Sequence, residues 1–208
     1  MTIEEIRAAL LPAILDEVPF EGFNAHAMHT AAKRLGYGEV EIARAYSGGV
    51  RDVIDHWNLM ADAAMVAGLA QAGPLKVRER ITLAVRLRLE YLARHREAVR
   101  RAFSVLALPG NQPLAAKILY RTVDEAWHAC GDRSADFNFY TKRGLLAAVY
   151  SATVMVWLDD DSDGFTDTWD FLDRRIADVM KVPQAIARLK DLPRRLFIPG
   201  LRRRAARV

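Results

Sequence analysis

The 208-residue sequence predicts an all-α protein: a helical bundle with a helix-turn-helix-like N-terminal subdomain and a basic amphipathic C-terminal segment. Three observations carry that expectation. Apolar residues recur at three- and four-residue intervals along most of the chain, and no stretch shows the strict alternation of a half-buried strand. Breakers at Gly22, Gly36, Gly38, Gly48-Gly49, Gly73-Pro74, Pro109-Gly110, Gly131 and Gly164 leave eight or nine helical segments. Hydrophobic residues make up 51% of the chain and aromatics 9%, enough for one sizeable core or a small subdomain packed on a larger one.

The first helix places Ile3, Ile6, Leu10 and Ile14 on one face, with acids in its first turn. Gly22 to Tyr46 has the form of a helix, a glycine turn at Gly36 to Gly38, and a short second helix. Ile81 to Ala107 reads as one long amphipathic helix through Ala84, Val85, Tyr91, Leu92, Val99 and Leu106, ended by Pro109-Gly110. Leu114 to Cys130 repeats the pattern with Ile118, Leu119, Val123, Ala126 and Trp127. A further helix runs from about Phe137 to Leu158, and Phe165, Trp169, Leu172, Ile176 and Val179 mark the next. Pro183, Pro193 and Pro199 punctuate the end. The expected organisation is a head over residues 1–50, a body over 51–180 and a tail over 181–208.

Gly144 to Leu158, an uncharged run that no other in the chain exceeds, is too short to cross a hydrocarbon core of about 30 Å. Cys130 is the only cysteine, so no internal disulfide forms. With no arginine-rich presequence or signal peptide recognised at the start, the expectation is a bacterial-type cytoplasmic protein, peripheral on the inner membrane.

Formal net charge is +4, but it is unevenly spread. From Lys181 to Val208 nine basic residues face Asp191 alone, a local net of +8, which leaves −4 for the first 180 residues. In the tail, Leu192, Leu196, Phe197 and Leu201 alternate irregularly with Arg194, Arg195, Arg202 and other cations. That composition suits a segment lying on an anionic membrane surface, for which Leu192, Arg194, Arg195, Leu196, Phe197 and Arg202 are the candidates. A disordered basic tail with some affinity for nucleic acid is the plainer alternative.

The Gly22–Tyr46 segment resembles the TetR-type repressor head. Reading DNA needs cations near phosphates. Here the second helix offers Glu39, Glu41 and only Arg44, and residues 1–50 hold four basic residues against seven acids. A structural three-helix cap is therefore preferred, with no DNA partner; a TetR-like transcriptional regulator with a hydrophobic effector pocket remains the alternative.

Asp159, Asp161, Asp163 and Gly164 match the opening of an EF-hand loop, but position twelve is Asp170 rather than the bidentate glutamate. An acidic interhelical loop in which Asp163 or Thr166 caps the next helix is the simpler reading. His26 and His29 lack a third ligand, and Cys130 sits at a helix end beside Trp127 as a small core residue. No phosphate loop, nucleophile elbow or di-iron Glu-x-x-His pair occurs, so neither a catalytic nor a metal site is expected and the chain is read as no enzyme.

Leu106 to Met180 carries a more specific signature. Asp124 to Trp127, Gly131-Asp132, Asp136-Phe137-Asn138-Phe139-Tyr140-Thr141, Arg143, Ala147-Ala148 and Asp167-Thr168-Trp169 with Phe171-Leu172 resemble the COQ9 family, the lipid-binding accessory proteins of ubiquinone biosynthesis with a TetR-like fold. The resemblance implies a dimeric TetR-like helical bundle with a hydrophobic cavity for an isoprenoid or quinone lipid. It also implies a partner, the di-iron demethoxyubiquinone hydroxylase, met through Ala126, Trp127, Asp132, Asp136, Phe139 and Tyr140. Phe139 and Ala126 depart from the family, where a larger aromatic and a bulkier apolar residue are common. A polyprenyl quinone is too insoluble to travel alone, so a carrier must offer an apolar cavity and a way to touch the bilayer. Met60, Met65, Leu69, Leu87, Leu145, Leu146, Tyr150 and Trp157 are the lining candidates, each of which equally suits plain core.

Overall fold

The computed structural model describes residues 2–132, 137–179 and 181. Among them the chain forms nine α-helices and one 3-10 turn, without a strand: α1 (Ile3–Glu21), α2 (Ala25–Arg34), α3 (Glu39–Ala45), α4 (Val50–Gln71), α5 (Val77–Ala93), α6 (Arg96–Leu106), α7 (Gln112–Ala129), α8 (Phe137–Asp159), the turn Asp163–Phe165, and α9 (Thr166–Val179). The expected all-α class holds. The tail residues named above, Leu192, Arg194, Arg195, Leu196, Phe197 and Arg202, lie outside the described residues, as does Asp136.

Local chemistry sets the starts of the head helices. The Thr2 hydroxyl accepts from the Glu5 N–H at 3.2 Å while the Glu5 carboxylate accepts from the Thr2 N–H at 2.8 Å, a reciprocal cap on α1. The Asn24 side-chain oxygen accepts from the Ala27 N–H at 2.9 Å and opens α2. Gly36, at φ +73°, supplies the left-handed step of the turn into α3, where a side chain would be strained. The buried stripe Ile6, Leu10, Ile14 and Val18 lets α1 pack on α2, α3 and α6 together, so one apolar cluster runs from the head through the body.

Two expectations are corrected. The single long helix over Ile81 to Ala107 is two helices, because Arg94 and His95 turn the chain, His95 adopting φ −131° and ψ 47°. Neither residue is a breaker. The turn is held by tertiary contacts instead: the His95 ring meets Trp57 edge-on at 6.5 Å, and the Arg96 guanidinium lies 5.8 Å from the Trp157 ring and 5.4 Å from Phe165.

The second correction concerns the acidic loop. Asp160, rather than Asp163 or Thr166, caps α9: its carboxylate accepts from the Thr168 N–H at 2.9 Å and hydroxyl at 2.5 Å, and from the Ser162 N–H at 2.8 Å. Asp159 pairs with Arg100 at 3.1 Å and Asp161 is 98% exposed, so the loop carboxylates diverge. Among the described residues, no three His, Cys, Asp or Glu side chains gather as a metal site. No described helix is long and apolar enough to cross a membrane.

Candidate functional site: a cavity with a polar end

The body helices α4 to α8 surround a cavity of about 350 Å³. It exists because the facing positions on α6 and α7 are small: Ala102, Ala107, Ala115 and Ala116 border it and leave space that larger side chains would close. Trp57, Leu92, Val99, Ile118 and Val154 form its buried apolar wall, and Phe103, 43% exposed, stands at its rim. The volume lies near the lower end of the range for small-molecule sites, roughly 300–1,000 Å³.

The inner end is polar. On α5 the buried positions are Ile81, Ala84, Val85, Arg88, Leu89 and Leu92, so helical periodicity carries a guanidinium into the core. Arg88 is only 1% exposed. Its Nε donates to Asp62 Oδ1 at 2.8 Å, one Nη donates to Asn58 Oδ1 at 2.7 Å, and the other donates to the Tyr150 hydroxyl. Asp62, buried on α4, also accepts from Arg121 Nε at 3.0 Å and the Thr122 hydroxyl at 2.9 Å. Arg121 and Lys117 reach Asp55 at 2.6 and 2.7 Å. Buried charges are tolerable only when paired in this way.

Burial raises the Tyr150 phenol above its ordinary range, and the opposing effect of Arg88 is smaller, so the hydroxyl stays protonated. Burial also pushes the Asp55 carboxyl up, but the hydrogen bonds and charges of Lys117 and Arg121 outweigh it and hold Asp55 below the usual carboxylate range.

A second cavity of about 250 Å³ lies between α5, α7, α8 and α9, bordered by Val77, Ile81, Trp127, Cys130, Leu145 and Leu146 among others. Among the described residues the buried indole N–H of Trp127 has no hydrogen-bond partner, and the Lys142 ammonium lies 5.4 Å from its ring centroid.

The sequence-predicted lining residues scatter. Tyr150 borders the larger cavity, Leu145 and Leu146 the smaller, and Met65 joins Leu146 and Tyr150 around a void of about 10 Å³. Leu69 and Trp157 are fully packed, the latter against Phe165 at 6.0 Å. Leu87 closes on Gly68, where an added Cβ would come within 2.8 Å of Leu87 Cδ1, and Met60 is 38% exposed on α4. Trp57, Asn58, Arg88 and Phe103 were missed. A charge at a core position of an amphipathic helix was the available signal for Arg88.

The expected partner patch also divides. Ala126 and Trp127 are buried, 2% and 7% exposed. Asp132 is held by Lys142 at 2.8 Å and Arg143 at 3.4 Å. Phe139 is half-buried under the Arg143 guanidinium, 3.4 Å from its ring centroid, and meets Tyr140 edge-on at 5.1 Å. Tyr140, 71% exposed, presents the largest open surface among the described residues of the set.

The COQ9 family model matches residues 112–183. The chain is similar to "Ubiquinone biosynthesis protein COQ9, mitochondrial" of Rattus norvegicus, at 35% identity over 90% of this chain and 63% of the relative. The human relative of the same name is 33% identical over 90% of this chain and 62% of its own length. The Drosophila melanogaster relative is 30% identical over 91% and 60%. The chain thus spans a little under two thirds of the length of these relatives. Among solved structures, a TetR transcriptional regulator from Nitrosomonas europaea superposes with a TM-score of 0.71 at 23% identity, covering 85% of this chain and 98% of that one. That likeness establishes the TetR-like fold alone.

Proposed function

From this similarity to the COQ9 family we propose that the chain is a member of it and a non-catalytic, lipid-binding accessory protein of ubiquinone biosynthesis. It takes up an isoprenoid quinone intermediate and delivers it to the di-iron demethoxyubiquinone hydroxylase at a membrane surface. The observation that supports this reading most is the apolar cavity of about 350 Å³ rimmed by Phe103. Such a volume takes a ring and the start of a tail, leaving the rest of a polyprenyl chain outside, where a bilayer would cover it. The exposed ring of Tyr140 beside Phe139 is the proposed contact for the hydroxylase, and the basic tail with Leu192, Phe197 and Arg202 the proposed membrane contact. A homodimer, as the family resemblance implies, is part of the same proposal.

The regulator reading meets a physical obstacle. Glu41 accepts from the Gly38 N–H at 2.9 Å and so sits at the start of α3, with Glu39 beside it. An anion there occupies the positive end of the helix that would have to approach phosphates.

Native mass spectrometry of the purified protein, followed by organic extraction, tests the proposal. A co-purifying isoprenoid quinone is the expected result. A protein that carries no lipid, binds none from vesicles containing ubiquinone, and shifts promoter DNA would replace the carrier with the regulator.

A further inference from the structure

Resting on the carrier reading, we propose that Arg88 and Tyr150 form a donor-only polar end to the larger cavity, which seats its ligand head-inward and selects a neutral, acceptor-bearing head over an anionic one.

The argument starts from hydrogen-bond capacity. A guanidinium has five N–H groups. Arg88 uses three, toward Asp62, Asn58 and Tyr150, which leaves one on each Nη at the cavity wall. The Tyr150 oxygen already accepts from Arg88, so its own proton is the part left to offer a ligand. Asn58 is saturated in both directions: its oxygen accepts from Arg88, and its amide nitrogen donates to the Ile54 carbonyl at 2.9 Å. Among the described residues, what remains at this end is a set of donors without an acceptor. A carbonyl or ether oxygen satisfies them; a hydrocarbon end leaves them dry and unpaired.

Charge decides between acceptor classes. Arg88 and Arg121 are matched by Asp62 and Asp55, all four at most 19% exposed, while the remaining cation, Lys117, is 62% exposed and screened by water. The buried cluster is therefore already neutral. A carboxylate or phosphate head would add an uncompensated negative charge next to Asp62, whereas a neutral head adds none. The cavity is also graded: Arg88, Asn58 and Tyr150 lie inside, whereas Phe103 and Ala107 at the exposed rim are apolar and the exposed hydroxyl of Ser151 is the one polar group beside them. A head-inward amphiphile matches both ends, and its tail leaves toward the rim.

Three probes of similar chain length separate the possibilities by titration calorimetry: a decyl-substituted dimethoxybenzoquinone, decylbenzene and dodecanoate. The unmodified protein is expected to bind the quinone about tenfold more tightly than either of the others, as expected of one or two buried hydrogen bonds. Tyr150→Phe keeps the ring and removes the donor, so it should weaken the quinone roughly fivefold and leave decylbenzene unchanged. Arg88→Lys, which keeps the charge paired with Asp62, should do the same. A second readout is shielding: the bound quinone should be reduced more slowly by aqueous borohydride than the free one. Equal affinity for quinone and decylbenzene, or equal weakening of both by Tyr150→Phe, overturns the polar-end assignment while leaving a carrier in place. Tighter binding of dodecanoate overturns the charge argument. No binding of any probe removes the carrier reading itself.

Discussion

Arg88 and Asp62 lie at the buried centre of the body, Nε to Oδ1 at 2.8 Å, with side chains 1% and 5% exposed. The two partners are not equivalent. Without Arg88, Asp62 keeps Arg121 and Thr122; without Asp62, Arg88 keeps only the neutral oxygens of Asn58 and Tyr150.

Asp62→Leu should therefore destabilise the protein by about 3–5 kcal/mol, since it strands a buried cation. Arg88→Met should cost clearly less, and the double variant should recover much of the loss from Asp62→Leu. Urea denaturation of the three variants checks the order; equal losses for the two single variants would refute the asymmetry.

Asp160 gives the fold an acid-sensitive cap. Burial pushes its carboxyl up, but hydrogen bonds from Ser162 and Thr168, through side chain and backbone, outweigh that and hold it far below the usual carboxylate range. A depressed folded pKa contributes stability that is complete above the unfolded value near ~4 and is lost as pH falls toward the folded value. Asp160→Ala should cost about 1–2 kcal/mol at pH 7. The difference from the unmodified protein should stay constant down to about pH 5 and shrink below about pH 4. Thermal melts across this range read it directly, and a penalty independent of pH down to 2 would contradict it.

Cys130 ends α7 at the wall of the smaller cavity, where burial pushes its thiol up to about 11 against the weaker opposing effect of Arg80. At pH 8 it should carry roughly a hundredfold less thiolate than an ordinary cysteine. Alkylation by iodoacetamide is expected to be correspondingly slow and to rise about tenfold per pH unit from 8 to 10 without levelling. A plateau near pH 9 would show an unperturbed thiol.

The chain's own order determined the all-α class, the head and most helix boundaries, since periodicity, caps and glycines act over a few residues. α2 and α3 fall where Asn24 and the Gly36–Gly38 turn place them, and α8 and α9 within a residue or two of the apolar runs. The likeness to the COQ9 relatives, too, was legible in the aromatic and acidic runs between Asp124 and Leu172. Tertiary structure decided the rest. The break before α6 depends on Trp57, Trp157 and Phe165, none of them neighbours of His95 in sequence, and the cap of α9 on a carboxylate eight residues before the Thr168 it holds. The cavity is the clearest case. An apolar side chain on a helix face reads alike whether it fills a core or borders a void. Only the meeting of small residues on α6 and α7 with Arg88, Asn58 and Tyr150 from three other helices separates the two.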